Sequence, residues 1–130
     1  MAVKKLEHVG VMVKDMEASI AFYKEVLGME LLGKAEHPDP NIKLAFLGFK
    51  DAKETELELI QGYNDQLPQE GKVHHIAFTV DNIEEEVQRL KQLGVAFIDK
   101  EITTLPNGSR YMFFYGPDGE WIELFQSARI

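Results

Sequence analysis

Four residues of this chain have types and spacings that suit one divalent cation: His8, Glu58, His75 and Glu123. Two imidazoles and two carboxylates form an N2O2 donor set that suits Zn, Ni, Co, Mn or Fe(II). Two carboxylates offset the charge of the dication, and four protein ligands leave octahedral positions open to water or a chelating substrate, as a catalytic centre requires. With no cysteine in the chain, thiolate ligands, thiolate nucleophiles and disulfides are all excluded. Any metal must therefore sit on nitrogen and oxygen.

An internal repeat singles out these four. The segment from His8 to Glu17 lies against that from His75 to Glu84, matching histidine, alternating apolar residues and glutamate at an offset of 67 residues. Downstream, Leu27-Gly28 matches Leu93-Gly94, Leu44-Ala45-Phe46 matches Tyr111-Met112-Phe113, and Glu58-Leu59-Ile60-Gln61 matches Glu123-Leu124-Phe125-Gln126. Each copy thus opens on a histidine and closes on a glutamate. Glu56 is a rival by side-chain parity, but the repeat pairs it with Trp121 and leaves Glu58 opposite Glu123. His37 and His74 have no histidine partner in the repeat; His37 reads as a loop residue and His74 as a neighbour turned away from the ligand.

The elements that must position these residues follow from periodicity. Val9, Val11 and Val13 alternate with His8, Gly10 and Met12, the pattern of a half-buried strand. The valine face seats a helix, so His8 faces the other, concave side of the sheet, and His75 does so with Ala77 and Thr79. Leu57 and Leu59, then Ile122 and Leu124, face the helices and leave Glu58 and Glu123 beside the histidines.

Asp15 and Asp81 stand at helix N-cap positions, and Gly28 and Gly94 where the chain leaves each helix. Ile20, Tyr23 and Leu27 make the inner stripe of one helix, and Ile83, Val87, Leu90 and Leu93 that of the other. The acidic run Glu84-Glu85-Glu86 suits a solvated first turn. The strands expected after the helices are Glu30 to Lys34, Lys43 to Phe49 and Glu56 to Gln61, then Ala96 to Asp99, Arg110 to Tyr115 and Trp121 to Gln126. Ala35 to Asn41 is the intervening surface loop, and Tyr111, Phe113, Phe114 and Tyr115 divide between core and pocket lining. The fold class is α+β: two βαβββ modules, residues 5–62 and 73–127, joined by a linker over 63–72, forming a cupped mixed sheet with helices on its outer face and one domain over residues 1–130.

With 130 residues, 45% of them apolar, the chain can bury a core of its own. Its net charge of −8 and scattered basic residues exclude the electrostatic footprint of a nucleic-acid or anionic-membrane binder. No apolar run reaches the ~20 residues that cross a bilayer, and the start has no h-region, so the chain reads as soluble and cytoplasmic.

The stretches His8-Val9-Gly10, Phe22 to Met29, Glu58-Leu59, His75-Ile76-Ala77-Phe78, Pro117-Asp118-Gly119 and Ile122-Glu123-Leu124 resemble the vicinal oxygen chelate superfamily, over essentially the whole chain. Within it, the resemblance is to the short bacterial glyoxalase I (lactoylglutathione lyase). The resemblance implies a metal-dependent lyase/isomerase that acts on a thiol adduct of a small 2-oxoaldehyde, detoxifying methylglyoxal by proton transfer through an enediolate that the metal stabilises. It also implies that His8, Glu58, His75 and Glu123 are metal ligands, that Glu123 is the base with Glu58 the other candidate, and that the protein is a homodimer with sites shared across its interface. Alternatives within the resemblance are a methylmalonyl-CoA epimerase-like enzyme, on the doubled His74-His75, and a drug-sequestering protein of the bleomycin-resistance type. Ring-cleaving dioxygenases use three ligands, against which Glu58 would be a fourth. Bacterial glyoxalase I usually contacts glutathione through an arginine and an asparagine where this chain has Met12 and Gly62; Arg110 and Lys43 are the cations that could substitute.

Overall fold

The computed structural model describes residues 7–52, 54–62 and 74–128. The chain divides into two compact units, Met1–Leu67 and Pro68–Ile130. The linker expected over 63–72 lies outside the described residues, as do residues 5, 6 and 73 at the module ends.

The first unit runs β1 (His8–Val13), α1 (Met16–Leu27), β2 (Glu30–Glu36), β3 (Lys43–Gly48) and β4 (Glu56–Gln61). Its sheet has the order β1-β4-β3-β2, with β1 parallel to β4 and the other neighbours antiparallel. The second unit repeats this plan with β5 (Ile76–Thr79), α2 (Ile83–Gln92), β6 (Thr103–Thr104), β7 (Arg110–Tyr115) and β8 (Trp121–Gln126), in the order β5-β8-β7-β6. The two βαβββ modules are therefore present, each with its own four-stranded mixed sheet. In each, the strand that begins at the histidine (β1) or just after it (β5) and the strand that carries the glutamate are parallel neighbours.

Apolar periodicity explains the layering. Ala45, Leu47, Leu57 and Leu59 alternate along β3 and β4 and are buried under α1, which contributes Met16, Ser19, Ile20, Tyr23 and Val26. Leu27 is only half-buried, because Val26 takes the inward position at the end of the stripe. In the second unit Met112, Phe114, Ile122 and Leu124 lie under Ile83, Val87 and Leu90. Leu93, expected in that stripe, is 52% exposed, since it is the C-cap and the helical period no longer governs its direction.

The helix ends are specified locally. Asp15 accepts from Ala18 N at 3.1 Å, and Gly28, at φ 72°, lets its own N–H return to Lys24 O. The second N-cap is Asn82, not Asp81: its side chain accepts from Glu85 N at 3.2 Å. Asn82 is the residue that the 67-residue offset places opposite Asp15, and an amide oxygen caps as well as a carboxylate. A glutamine completes each start: Gln61 Oε1 accepts from Met16 N at 2.6 Å, and Gln126 Oε1 from Ile83 N at 2.8 Å. The last residue of each closing strand thus ties the first amide of each helix to the sheet.

Ala96 to Asp99, expected as a strand, makes only an isolated bridge, Phe97 to Phe114. Asp99 Oδ2 accepts from Phe113 N at 2.9 Å, so a side chain takes the place that a neighbouring backbone carbonyl would hold in a ladder. The short strand β6 pairs with β7 farther along. At the other boundaries β2 continues two residues past Lys34 and β3 ends one residue before Phe49. Among the described residues no helix is long and apolar enough to cross a membrane.

Candidate functional site

In each unit the opening histidine and the closing glutamate meet. His8 Nε2 lies 3.5 Å from Glu58 Oε1, and His75 Nε2 lies 3.6 Å from Glu123 Oε1. Strand parity causes this. Gly10 is the register partner of Glu58 and Ala77 that of Glu123, so a residue two places after each histidine stands beside each glutamate on the face away from the helix. A Cβ at Gly10 would lie 3.6 Å from Glu58 Oε1 and 3.3 Å from Ile60 Cδ1, a tight fit that glycine avoids in the first module. Glu56 is opposite His8 in register, yet the imidazole reaches one step along the strand to Glu58.

A phenylalanine walls each pair. Phe46 is the antiparallel partner of Glu58 and meets His8 edge to face at 6.1 Å; Phe113 is that of Glu123 and meets His75 at 5.0 Å. The repeat had aligned Phe46 with Phe113, and that alignment is the signal that could have marked them as site residues. Around His75 the wall is larger, with Tyr111 at 5.6 Å and Trp121 at 5.7 Å from Phe113. His74 is not turned away: its ring lies edge-on to Trp121 at 4.9 Å, and its Nδ1 is 2.9 Å from His75 Nδ1. His37 stays in its loop and accepts from Asp39 N.

The carboxylates are the less exposed partners, with side chains 13% (Glu58) and 10% (Glu123) accessible against 40% and 35% for His8 and His75. Burial pushes the Glu123 carboxyl up from the usual glutamate range; His75 pulls it down and Asp99 raises it again. A cation beside Glu123 would relieve this cost, because a second opposite charge favours the ionised form. The separations also fit. Two ligands at ~2.1 Å from one ion are ~3.0 Å apart at a right angle and ~3.4 Å at the tetrahedral angle, so 3.5 and 3.6 Å need only slight closure. Each pair fits half of an N2O2 set; among the described residues no group of three or more His, Asp or Glu side chains is gathered about one point.

The two cations considered as anion contacts lie elsewhere. Arg110 is on the helix-side parity of β7 and donates to both oxygens of Glu84, at 2.9 Å each. Lys43 shares the helix-side parity of Ala45 and Leu47, and borders a 510 Å³ pocket whose other walls include Met16, Glu17, Lys34 and Ile42. Gly62 sits at φ 92°, and a Cβ there would collide with the Asn41 carbonyl. The backbone at this point therefore admits no side chain without moving.

Residues 5–124 match the family model described as the glyoxalase/bleomycin resistance protein/dioxygenase superfamily. The chain is 58% identical to the uncharacterized protein YwbC of Bacillus subtilis, over 95% of this chain and 98% of that protein. It is 36% identical to the lactoylglutathione lyase of Salmonella typhimurium, over 95% and 93% of the two chains. Among solved structures, glyoxalase I of Leishmania major superposes with a TM-score of 0.78 at 30% identity, covering 95% of this chain and 87% of that one.

Proposed function

The chain belongs to the glyoxalase/bleomycin resistance protein/dioxygenase superfamily, and from that premise we propose that it is a metal-dependent lyase/isomerase of the glyoxalase I type. Its substrate is the thiol adduct of a small 2-oxoaldehyde. The observation that carries the reading is the duplicated pair: a histidine Nε2 and a glutamate Oε1 at 3.5 Å in one module and 3.6 Å in the other. His8, Glu58, His75 and Glu123 would hold one divalent ion. When bound, such an ion supplies Lewis-acid stabilisation of negative charge on two adjacent substrate oxygens.

The rest of the chemistry falls to side chains. Glu123 takes the proton from the carbon that bears sulfur and returns it to the neighbouring carbon, while the hydroxyl proton passes to the other oxygen. No co-reactant is needed, because the product thioester is an isomer of the adduct. Burial alone raises the proton affinity of Glu123, and a bound cation would lower it again. Glu58 is the second carboxylate able to serve. Phe46, Phe113 and Trp121 supply apolar walls that limit water at the reacting carbons.

The thiol part is bound differently from the arginine and asparagine pattern of bacterial glyoxalase I. Met12 offers no charge, Gly62 has no room for a side chain, and Arg110 is engaged with Glu84. The reading extends to a homodimer in which each site draws one pair from each of two chains.

The test is to load metal-free protein with Zn, Ni, Co or Mn, measure metal per chain, and follow loss of methylglyoxal adducts of several thiols. One ion per chain with turnover of at least one adduct supports the proposal. Uptake of metal without turnover of any adduct refutes the reaction, and protein that takes up no metal favours the sequestering branch of the superfamily.

A further inference from the structure

Both histidines turn their second ring nitrogen toward the residue immediately before them. His8 Nδ1 is 3.4 Å from Glu7 Oε1, and His75 Nδ1 is 2.9 Å from His74 Nδ1. Glu7 and His74 are separated by the same 67 residues as His8 and His75, so the repeat preserves the contact while changing its chemistry.

Two Nδ1 atoms 2.9 Å apart can share only one hydrogen, because two lone pairs or two N–H groups would repel at that distance. If His75 gives the Nε2 lone pair to a cation, its own proton must sit on Nδ1. His75 is then the donor and His74 the acceptor, with the proton of His74 on Nε2. The His74 ring is braced for this role: it meets His75 at 88° with centroids 5.2 Å apart, and it lies edge-on to Trp121 and Phe113. Bracing of this kind fixes ring orientation as well as tautomer.

We propose that His74 is a positioning residue that holds His75 in the Nδ1–H form with Nε2 aimed at Glu123, and that Glu7 does the same for His8 more weakly. The inference rests on the metal-binding reading above. The asymmetry comes from geometry: the Glu7 contact is longer, and the Glu7 side chain is 68% exposed, where water competes for the imidazole N–H. The second module therefore carries the more strongly oriented histidine.

The experiment compares zinc affinity, by competition with a chelating dye, for the wild type, His74→Phe, His74→Gln and Glu7→Ala. Phenylalanine keeps a ring against Trp121 and removes the acceptor, whereas glutamine keeps an acceptor and removes the ring. His74→Phe should weaken zinc binding ~10- to 100-fold, His74→Gln should recover most of that loss, and Glu7→Ala should cost less than about fivefold. Long-range 1H–15N spectra of the metal-free wild type, at a pH where the rings are neutral, should show His75 protonated on Nδ1 and His74 on Nε2. The proposal is overturned if His75 carries its proton on Nε2, if His74→Phe binds zinc as the wild type does, or if the phenylalanine and glutamine variants lose equally. A wild type with the stated tautomers that takes up no zinc would remove the metal reading and leave the His74–His75 bond standing.

Discussion

Replacing Gln61 or Gln126 tests the tie between the closing strands and the helices. Gln61 Oε1 receives Met16 N at 2.6 Å, and Met16 itself is 3% exposed, so leucine at position 61 would leave a donor in a place that water reaches poorly. A hydrogen bond of this kind contributes about 1 kcal/mol, and a buried donor left unmade costs ~1–3 kcal/mol. The expected loss for Gln61→Leu is therefore ~1.5 kcal/mol, near the middle of these figures. With an unfolding entropy of ~2.1 cal/mol/K per residue, this lowers the midpoint by ~5 °C if the chain unfolds as one unit.

Gln126→Leu should cost a similar amount, since its 2.8 Å bond to Ile83 N is the repeat equivalent and Ile83 is fully buried. The two contacts share no partner, so the double variant should lose the sum within ~0.5 kcal/mol. Urea unfolding of the three variants, followed by far-UV circular dichroism, measures all of this. A loss below ~0.5 kcal/mol for both single variants, the range of ordinary surface substitutions, would refute the idea that these amides depend on the glutamines.

Glu123→Gln, which keeps volume and removes the charge, should reduce turnover ~100-fold or more and weaken zinc uptake; unchanged kcat would remove Glu123 from the proton transfer. Gly62→Asn, which installs the residue usual in glutathione-binding relatives, should lose ~1–3 kcal/mol of stability by urea unfolding and gain no glutathione affinity, because φ is 92° and the Asn41 carbonyl blocks a Cβ. Mixing inactive His8→Ala and His75→Ala proteins should restore part of the activity if each site draws on two chains; a mixture as inactive as its components would place both pairs of a site in one chain. The Arg110 guanidinium holds the Glu84 carboxyl below the usual glutamate range. Its stabilisation is thus present above the unfolded value and lost as pH falls through the folded one. The thermal midpoint of the wild type should exceed that of Arg110→Gln at neutral pH, with the gap closing in acid.

The sheet faces and the pairing of histidine with glutamate were readable because strand side chains alternate with a period of two, and the repeat fixed which copy of each residue to compare. Glu58 over Glu56 came from that comparison alone. One miss was local: the cap is Asn82 and not Asp81, although the 67-residue offset had already set Asn82 opposite Asp15. What else could not be read depended on tertiary contacts. Ala96 to Asp99 has strand-like composition, but the Asp99 carboxylate occupies the place of a ladder carbonyl. Arg110 looked available as an anion contact until its parity placed it beside Glu84. His74 looked peripheral because nothing in its local sequence shows that Trp121, across the module, will hold its ring.

The parallel pairing of the strands that begin and end each module has a kinetic consequence. His8 cannot meet Glu58 by local search, since a helix and two strands lie between β1 and β4 along the chain. Closing so long a loop carries its entropic cost before the contacts that repay it can form. During synthesis, the first module must be complete to Gln61 before its histidine has a partner, and the second must be complete to Gln126. Half a module therefore presents neither pair, and a nascent chain gains its paired donors only after its sheets have closed.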